Sequence, residues 1–293
     1  MTPDLRLQSR VFGALALALV IASVAGARLA PLHELLAAAA LISLLGLPHG
    51  ALDVVFASRL FGVADFKGWA LFSLLYVGLA AGVVGVWFVA PTLFLCAFLL
   101  LSALHFGGDP AAGVSTLARL LYGGAVIVLP ALWHGPELQR LLGLVAGPAS
   151  GAFVVPALSQ MAAFWLAATV LACVLQARTS RLAASEWAAL AALMVTAPPL
   201  MAFTVYFCAM HSPRHILRTL ASWPGFEARS AAALALWPTF AVLAALAVIG
   251  WLSSDTPTPA WVMQLVFVGL AALTLPHMVL LEQARRMGLP AHR

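Results

Sequence analysis

Phe207-Cys208-Ala209-Met210-His211-Ser212-Pro213-Arg214-His215 places two histidines and an arginine directly after an apolar run long enough to enter a membrane. An ionisable side chain at bilayer depth costs about 3 kcal/mol or more unless it faces the protein interior and finds a partner, so the stretch reads as a functional site. His211 and His215 are four residues apart, which on a continuous helix puts both imidazoles on one face. That spacing suits a shared metal ion. Ser212-Pro213 reads as an N-cap followed by a first helical position, so the helix is expected to kink or restart there. Helices broken at membrane depth are tolerated where they line a buried cavity.

The rest of the chain supports a membrane setting. Of 293 residues, 63% are hydrophobic and 9% charged, and the mean hydropathy is +1.03; a soluble domain carries about 25% charged residues. The net charge of +5 does not point to nucleic acid, because the fifteen Lys and Arg are scattered between apolar runs as topology signals. Cys96, Cys173 and Cys208 sit in apolar runs without Cys-x-x-Cys spacing, which argues for packing and against disulfides or a thiolate metal site.

About twenty apolar residues make one crossing. Spans are predicted near 11–29, 34–57, 68–89, 91–107, 116–133, 152–176, 182–198, 200–220, 231–252 and 260–283. The division at Pro198-Pro199 rests on two consecutive prolines stopping a helix. The expectation is an all-α, polytopic integral membrane helix bundle of about ten transmembrane helices, with eight or nine the alternative counts, forming a single transmembrane domain over 1–293. With both termini cytoplasmic, in the inner (plasma) membrane, thirteen of the fifteen basic residues fall inside, leaving Arg28 and Arg140 outside.

The run Val11 to Ala27 after Arg6 and Arg10 also fits a signal peptide, and a retained first span is the preferred reading. Gly78 with Gly82, and Gly46 with Gly50, make Gly-x-x-x-Gly pairs suited to close helix packing. The segment around 134–151 is read as a polar connection too short to form a core of its own.

Of eight histidines, His33 and His292 are assigned to a loop and the tail, and His134 to the end of a span. The other five are His49, His105, His211, His215 and His277, and in the ten-span arrangement all lie toward the cytoplasmic half of spans running outside to inside. They can meet at one depth. Neutral imidazoles suit iron, zinc, copper or nickel, so the donor type leaves the metal open. Asp53 follows His49 by four residues and Asp109 follows His105 by four, so each carboxylate could take its own histidine's second N–H; the alternative is that the aspartates neutralise Arg214 or Arg218, or lie in loops. Glu282 is read as a solvated helix end. Phe106, Phe203, Tyr206, Phe207 and Trp223 near these motifs would suit a conjugated apolar ligand or, equally, lipid contact.

Pro48-His49-Gly50-x-x-Asp53, His105-Phe106-Gly107 with Asp109, His211-x-x-Arg214-His215 and Leu275-Pro276-His277-Met278, in that order, resemble the Brp/Blh family of bacterial and archaeal membrane β-carotene 15,15′-dioxygenases. The resemblance implies a non-haem Fe(2+) enzyme that splits the central double bond of β-carotene with O2 into two molecules of retinal, which can then serve a rhodopsin. It places the iron ligands on His49, His105, His211 and His215, with His277 a fifth ligand or a near neighbour. Two other classes stay open at this stage: a polytopic metal or proton-coupled transporter, and a membrane protein that binds a carotenoid without cleaving it. A haem protein would need only two of the five histidines, and a di-iron desaturase would need more His boxes than one.

Overall fold

The computed structural model describes residues 2–63, 65–110, 113–222, 228–252 and 258–287. Every element assigned among them is helical: α1 (Pro3–Val24), α2 (Pro31–Leu41), α3 (Asp53–Phe61), α4 (Phe66–Val89), α5 (Pro91–Phe106), α6 (Thr116–Val128), α7 (Ala131–Ala146), α8 (Pro148–Ala177), α9 (Arg181–Thr196), α10 (Pro199–Tyr206), α11 (Ser212–Ala221), α12 (Ala228–Leu252) and α13 (Pro259–Arg286). The starts are written in the sequence. Thr2, Asp65, Ser115, Ser180 and Thr258 each accept a hydrogen bond from the backbone N–H three residues on, satisfying a donor the helix cannot. Pro3, Pro31, Pro91, Pro148, Pro199 and Pro259 occupy first-turn positions, where the missing N–H costs nothing.

Among the described residues, five helical stretches are long and apolar enough to cross a membrane: 3–24, 31–61, 66–89, 148–177 and 259–286. A sixth results if α6 and α7, bent by 60° to each other, count as one broken span. Each of the ten predicted spans overlaps helix, but 116–133 runs across the bend between α6 and α7 and 11–29 runs past the end of α1; the predicted break at Pro198-Pro199 is present, since α9 ends at Thr196 and α10 starts at Pro199.

Several expectations are corrected. The segment 134–151 is not an irregular connection: α7 runs to Ala146, Gly147 turns the chain at φ +89°, and Pro148 opens α8, so α7 and α8 form a hairpin. His33 is an exposed residue of α2 and not of a loop. Gly78 and Gly82 are exposed, and among the described residues no atom of another helix lies within 4 Å of a Cβ added at either, so the pair seats no neighbouring helix there. His292 and Trp223 lie outside the described residues. The three cysteines are free and partly buried, in keeping with a packing role.

The core has two main parts. One joins α1, α5, α6, α9 and α10 through Phe12, Phe106, Tyr122, Trp187, Leu193 and Tyr206; the other joins α2, α5, α7, α8, α10 and α13 through Leu35, Leu95, Leu141, Val154, Leu200 and Met263. Gly123 decides how closely α5 and α6 approach, because a Cβ there would collide with the Ala103 carbonyl, two residues before His105.

Candidate metal centre

Two of the histidines sit on helix segments that depart from α geometry. Between α2 and α3 the chain forms a π turn over Ile42–Gly46 and then a 3-10 turn over Leu47–Leu52 that carries Pro48 and His49. Between α10 and α11 lies a second π turn, Phe207–His211. Such irregular turns leave backbone carbonyls short of donors, which inside a membrane protein must be satisfied by other groups. Here side chains supply them. Ser212 Oγ donates to the Leu45 carbonyl at 2.7 Å, His49 Nδ1 to the Gly46 carbonyl, and Gln8 Nε2 from α1 to the Ala209 carbonyl at 2.7 Å. Gly46 lacks a side chain where the Phe207 ring packs, so the two π turns touch.

Ser212 is therefore not an N-cap. It has αR geometry, the helix passes through it without interruption from α10 to α11, and its hydroxyl serves the neighbouring segment. Pro213 is accommodated because it falls in the first turn of α11.

The five histidines converge. The His49 ring centroid lies 5.1 Å from that of His211, 5.5 Å from His215 and 5.5 Å from His277. His105 lies 4.6 Å from His211 and 5.2 Å from His277, and His215 lies 5.0 Å from His277. His49, His211, His215 and His277 are buried, and His105 is partly so. His49, His105 and His277 each present a nitrogen within 4.8 Å of the other two.

Both aspartates are buried at the site, with partners other than those the spacing suggested. Asp53 Oδ1 accepts from His277 Nδ1 at 2.7 Å, and Asp109 accepts from His211 Nδ1 at 3.1 Å on both oxygens; these are not the histidines four residues before them. The reason is local. The 3-10 turn spoils the i, i+4 alignment of His49 with Asp53, and α5 ends at Phe106, so Asp109 has already left the helix axis. Each carboxylate also takes a tyrosine hydroxyl: Tyr76 Oη donates to Asp53 at 2.8 Å and Tyr206 Oη to Asp109 at 2.5 Å. The site thus holds two Tyr–Asp–His chains, one on each side.

These bonds settle the imidazole protons. A carbonyl or carboxylate only accepts, so His49, His211 and His277 carry a proton on Nδ1, which leaves Nε2 as the nitrogen that can face a metal. The Nε2 atoms of His211 and His277 are buried with no hydrogen-bond partner in the protein. An unpaired buried acceptor costs about 1–3 kcal/mol, and a cation of the transition series is the group that such nitrogens bind.

Neither aspartate carboxylate forms a direct ion pair with Arg214 or Arg218. Arg214, 1% exposed, pairs with Glu186 through Nη2 at 2.6 Å and Nη1 at 3.0 Å. Gln8 Oε1 and Ser9 Oγ of α1 accept two further N–H groups at 3.0 and 2.9 Å. Arg214 and Arg218 both donate to the Asp109 backbone carbonyl, and Arg218 also to those of Gly108 and Pro110. They clamp the turn that carries Asp109. Arg214 is accordingly an internal ion-pair partner and not one of the loop charges that orient a chain. Glu282 bonds the exposed Arg285 and Arg286, as a solvated helix end should.

Glu186, Gln8, Ser9 and Tyr76 escaped the sequence reading. Glu186 had a legible signal, a lone carboxylate inside the apolar run 182–198. Beside Asp53 a cavity of about 490 Å³ opens between the 3-10 turn, α4, α12 and α13, with Phe72, Ser73, Tyr76, Trp237, Val242 and Leu273 in its walls. Its lining is almost wholly apolar and its size lies within the usual range for small-molecule sites.

Residues 40–283 match the family model described as beta-carotene 15,15'-dioxygenase. A beta-carotene 15,15'-dioxygenase from an uncultured marine bacterium, 66A03, is 31% identical over 260 residues, covering 84% of this chain and 92% of that one. A probable beta-carotene 15,15'-dioxygenase, Blh, from Halobacterium salinarum is 28% identical over 312 residues, covering 90% of this chain and 88% of that one. No solved structure matches.

Proposed function

This chain belongs to the Brp/Blh family of β-carotene 15,15′-dioxygenases, and from that premise we propose that it cleaves the central double bond of β-carotene with O2 to give two molecules of retinal, at an Fe(2+) ion held by His49, His105, His211 and His215. The observation that carries the reading is the convergence of buried imidazoles whose Nδ1 protons are committed to fixed acceptors. Each carbon of the broken double bond takes one oxygen atom, so one hydrocarbon and one O2 account for two aldehydes. When bound, iron would supply the oxygen-activating redox chemistry that no side chain here has.

The remaining tasks belong to the protein. Asp109 orients His211 through the Nδ1–H bond and fixes which nitrogen faces the metal site. Gly46 performs the same service for His49 through its carbonyl. The substrate has no polar handle, so shape must position it, and the apolar cavity beside Asp53 is the seat we assign to one half of the polyene. Its walls exclude water from the reacting bond. Retinal leaving by the same opening would enter the bilayer, from which a rhodopsin could draw it.

For the membrane arrangement we retain ten crossings in the inner membrane with both termini cytoplasmic. Support comes from the helix that each predicted span overlaps and from the positive-inside rule, since this arrangement puts most of the basic residues on the cytoplasmic side. The bent α6–α7 pair then makes one crossing, with α7 folded back toward α8.

The test is production of retinal in bacterial cells that accumulate β-carotene, with retinal and residual carotene quantified by chromatography. Retinal at about two molecules per carotene consumed supports the reading; intact carotene beside well-inserted protein overturns it, and carotene that copurifies uncleaved would indicate a binding protein.

Two variants probe the parts. Ser73 is exposed on α4 at the cavity wall, so Ser73→Trp is tolerated by the fold but fills the cavity. Excluding two methylene groups' worth of polyene at about 0.8 kcal/mol each lowers retinal output about tenfold, with metal content unchanged. Asp109→Asn keeps a hydrogen-bond acceptor for His211 but loses the charge; metal affinity, measured by titration of the purified protein, is expected to fall about 10–100-fold.

A further inference from the structure

Resting on the metal-centre reading above, we infer that His277 is itself a metal ligand, held in place by Asp53 and Tyr76, so that the centre is built from five imidazoles. The family resemblance left this residue between ligand and neighbour, and the geometry points to ligand. The three histidines whose nitrogens lie within 4.8 Å of one another are His49, His105 and His277. His277 also contacts His215, so it touches three of the other four rings.

Its surroundings repeat those of His211. In each case a buried aspartate takes the Nδ1–H, a tyrosine hydroxyl donates to the same aspartate, and the Nε2 atom is buried without a hydrogen-bond partner. The chain has only three tyrosines, and two of them serve in these two units. A histidine that merely braced Asp53 would need nothing at Nε2 and would leave that nitrogen unsatisfied at 2% exposure. A metal-bound histidine instead needs a carboxylate behind it and a bare nitrogen in front. His277 has both.

Asp53 fits the same role. It is the first residue of α3, where the helix dipole favours a negative charge, so the carboxylate is fixed from its own helix as well as by Tyr76. Five imidazoles would leave a six-coordinate ion one open position where four would leave two, which bears on how many groups besides protein nitrogen it can hold.

The experiment uses purified, detergent-solubilised full-length protein, stripped of metal and titrated anaerobically with Fe(2+) and separately with Co(2+). Three proteins are compared: wild type, His277→Ala and Asp53→Asn. The expected result is a loss of Fe(2+) affinity of more than about a hundredfold in His277→Ala and about 10–100-fold in Asp53→Asn. In addition, the visible absorption of the Co(2+)-loaded protein should change in His277→Ala, because a nitrogen donor has been lost.

Asp53→Asn retains an acceptor for Nδ1, so it keeps the question open to refutation if the alanine variant does not fold. Wild-type affinity together with an unaltered Co(2+) spectrum in His277→Ala, or wild-type affinity in Asp53→Asn should that variant alone fold, would overturn this assignment and leave the four-histidine centre standing. Failure of the wild type to bind either ion would overturn both.

Discussion

His49→Ala and His211→Ala are each expected to take retinal formation to background in carotene-accumulating cells, with the protein present in the membrane at the wild-type level. The two residues reach the centre by different routes. His49 arrives on the 3-10 turn between α2 and α3, braced by the Gly46 carbonyl, and His211 ends the π turn after α10, braced by Asp109. Their rings stand 5.1 Å apart at nearly a right angle. Loss of a partner behind a ligand costs about 10–100-fold in affinity or activity, and loss of the donor atom itself is expected to exceed that. Metal content of the purified variants, read beside retinal, separates a lost ligand from a lost fold. Wild-type retinal from either variant would remove that histidine from the ligand set.

Glu186→Ala is expected to destabilise the protein by about 3–5 kcal/mol, the usual cost of leaving one charge of a buried pair alone. Folded domains have a margin of only about 5–15 kcal/mol. Arg214 would keep Gln8, Ser9 and the Asp109 carbonyl, but no anion for its guanidinium. The midpoint of thermal unfolding in detergent reads the effect. Glu186→Leu combined with Arg214→Met removes both charges, and apolar replacement of a buried pair is often near neutral, so most of the stability should return. Metal affinity should not return with it, because the grip of Arg214 on the turn carrying Asp109 is gone. A double variant with both wild-type stability and wild-type affinity would show that the clamp does not support the centre.

The charged and polar residues at membrane depth were the legible part of the site. His49, His105, His211, His215 and His277 stood out because each is costly in an apolar run, and all five meet. The aspartates were legible as participants and not as partners. Reading Asp53 with His49 and Asp109 with His105 assumed regular helix, and a 3-10 turn in one case and a helix end in the other break that assumption. Tyr76 could not be found by spacing, since it comes from α4 while its partners lie on α3 and α13.

By itself, the sequence determined that the protein is helical and membrane-compatible, that a helix stops at Pro198-Pro199, and which residue types gather at the centre. All of these follow from local chemistry: apolar runs of bilayer length, prolines without N–H groups, and imidazoles without an apolar reason to be there. Tertiary structure alone decided which carboxylate serves which histidine, that Arg214 pairs with Glu186, and that α1 reaches the back of the centre through Gln8 and Ser9. Hydrogen-bond partners separated by 28 to 224 residues depend on how helices pack, and packing is set by contacts such as Gly123 on Ala103 and Gly46 on Phe207 that no local pattern encodes.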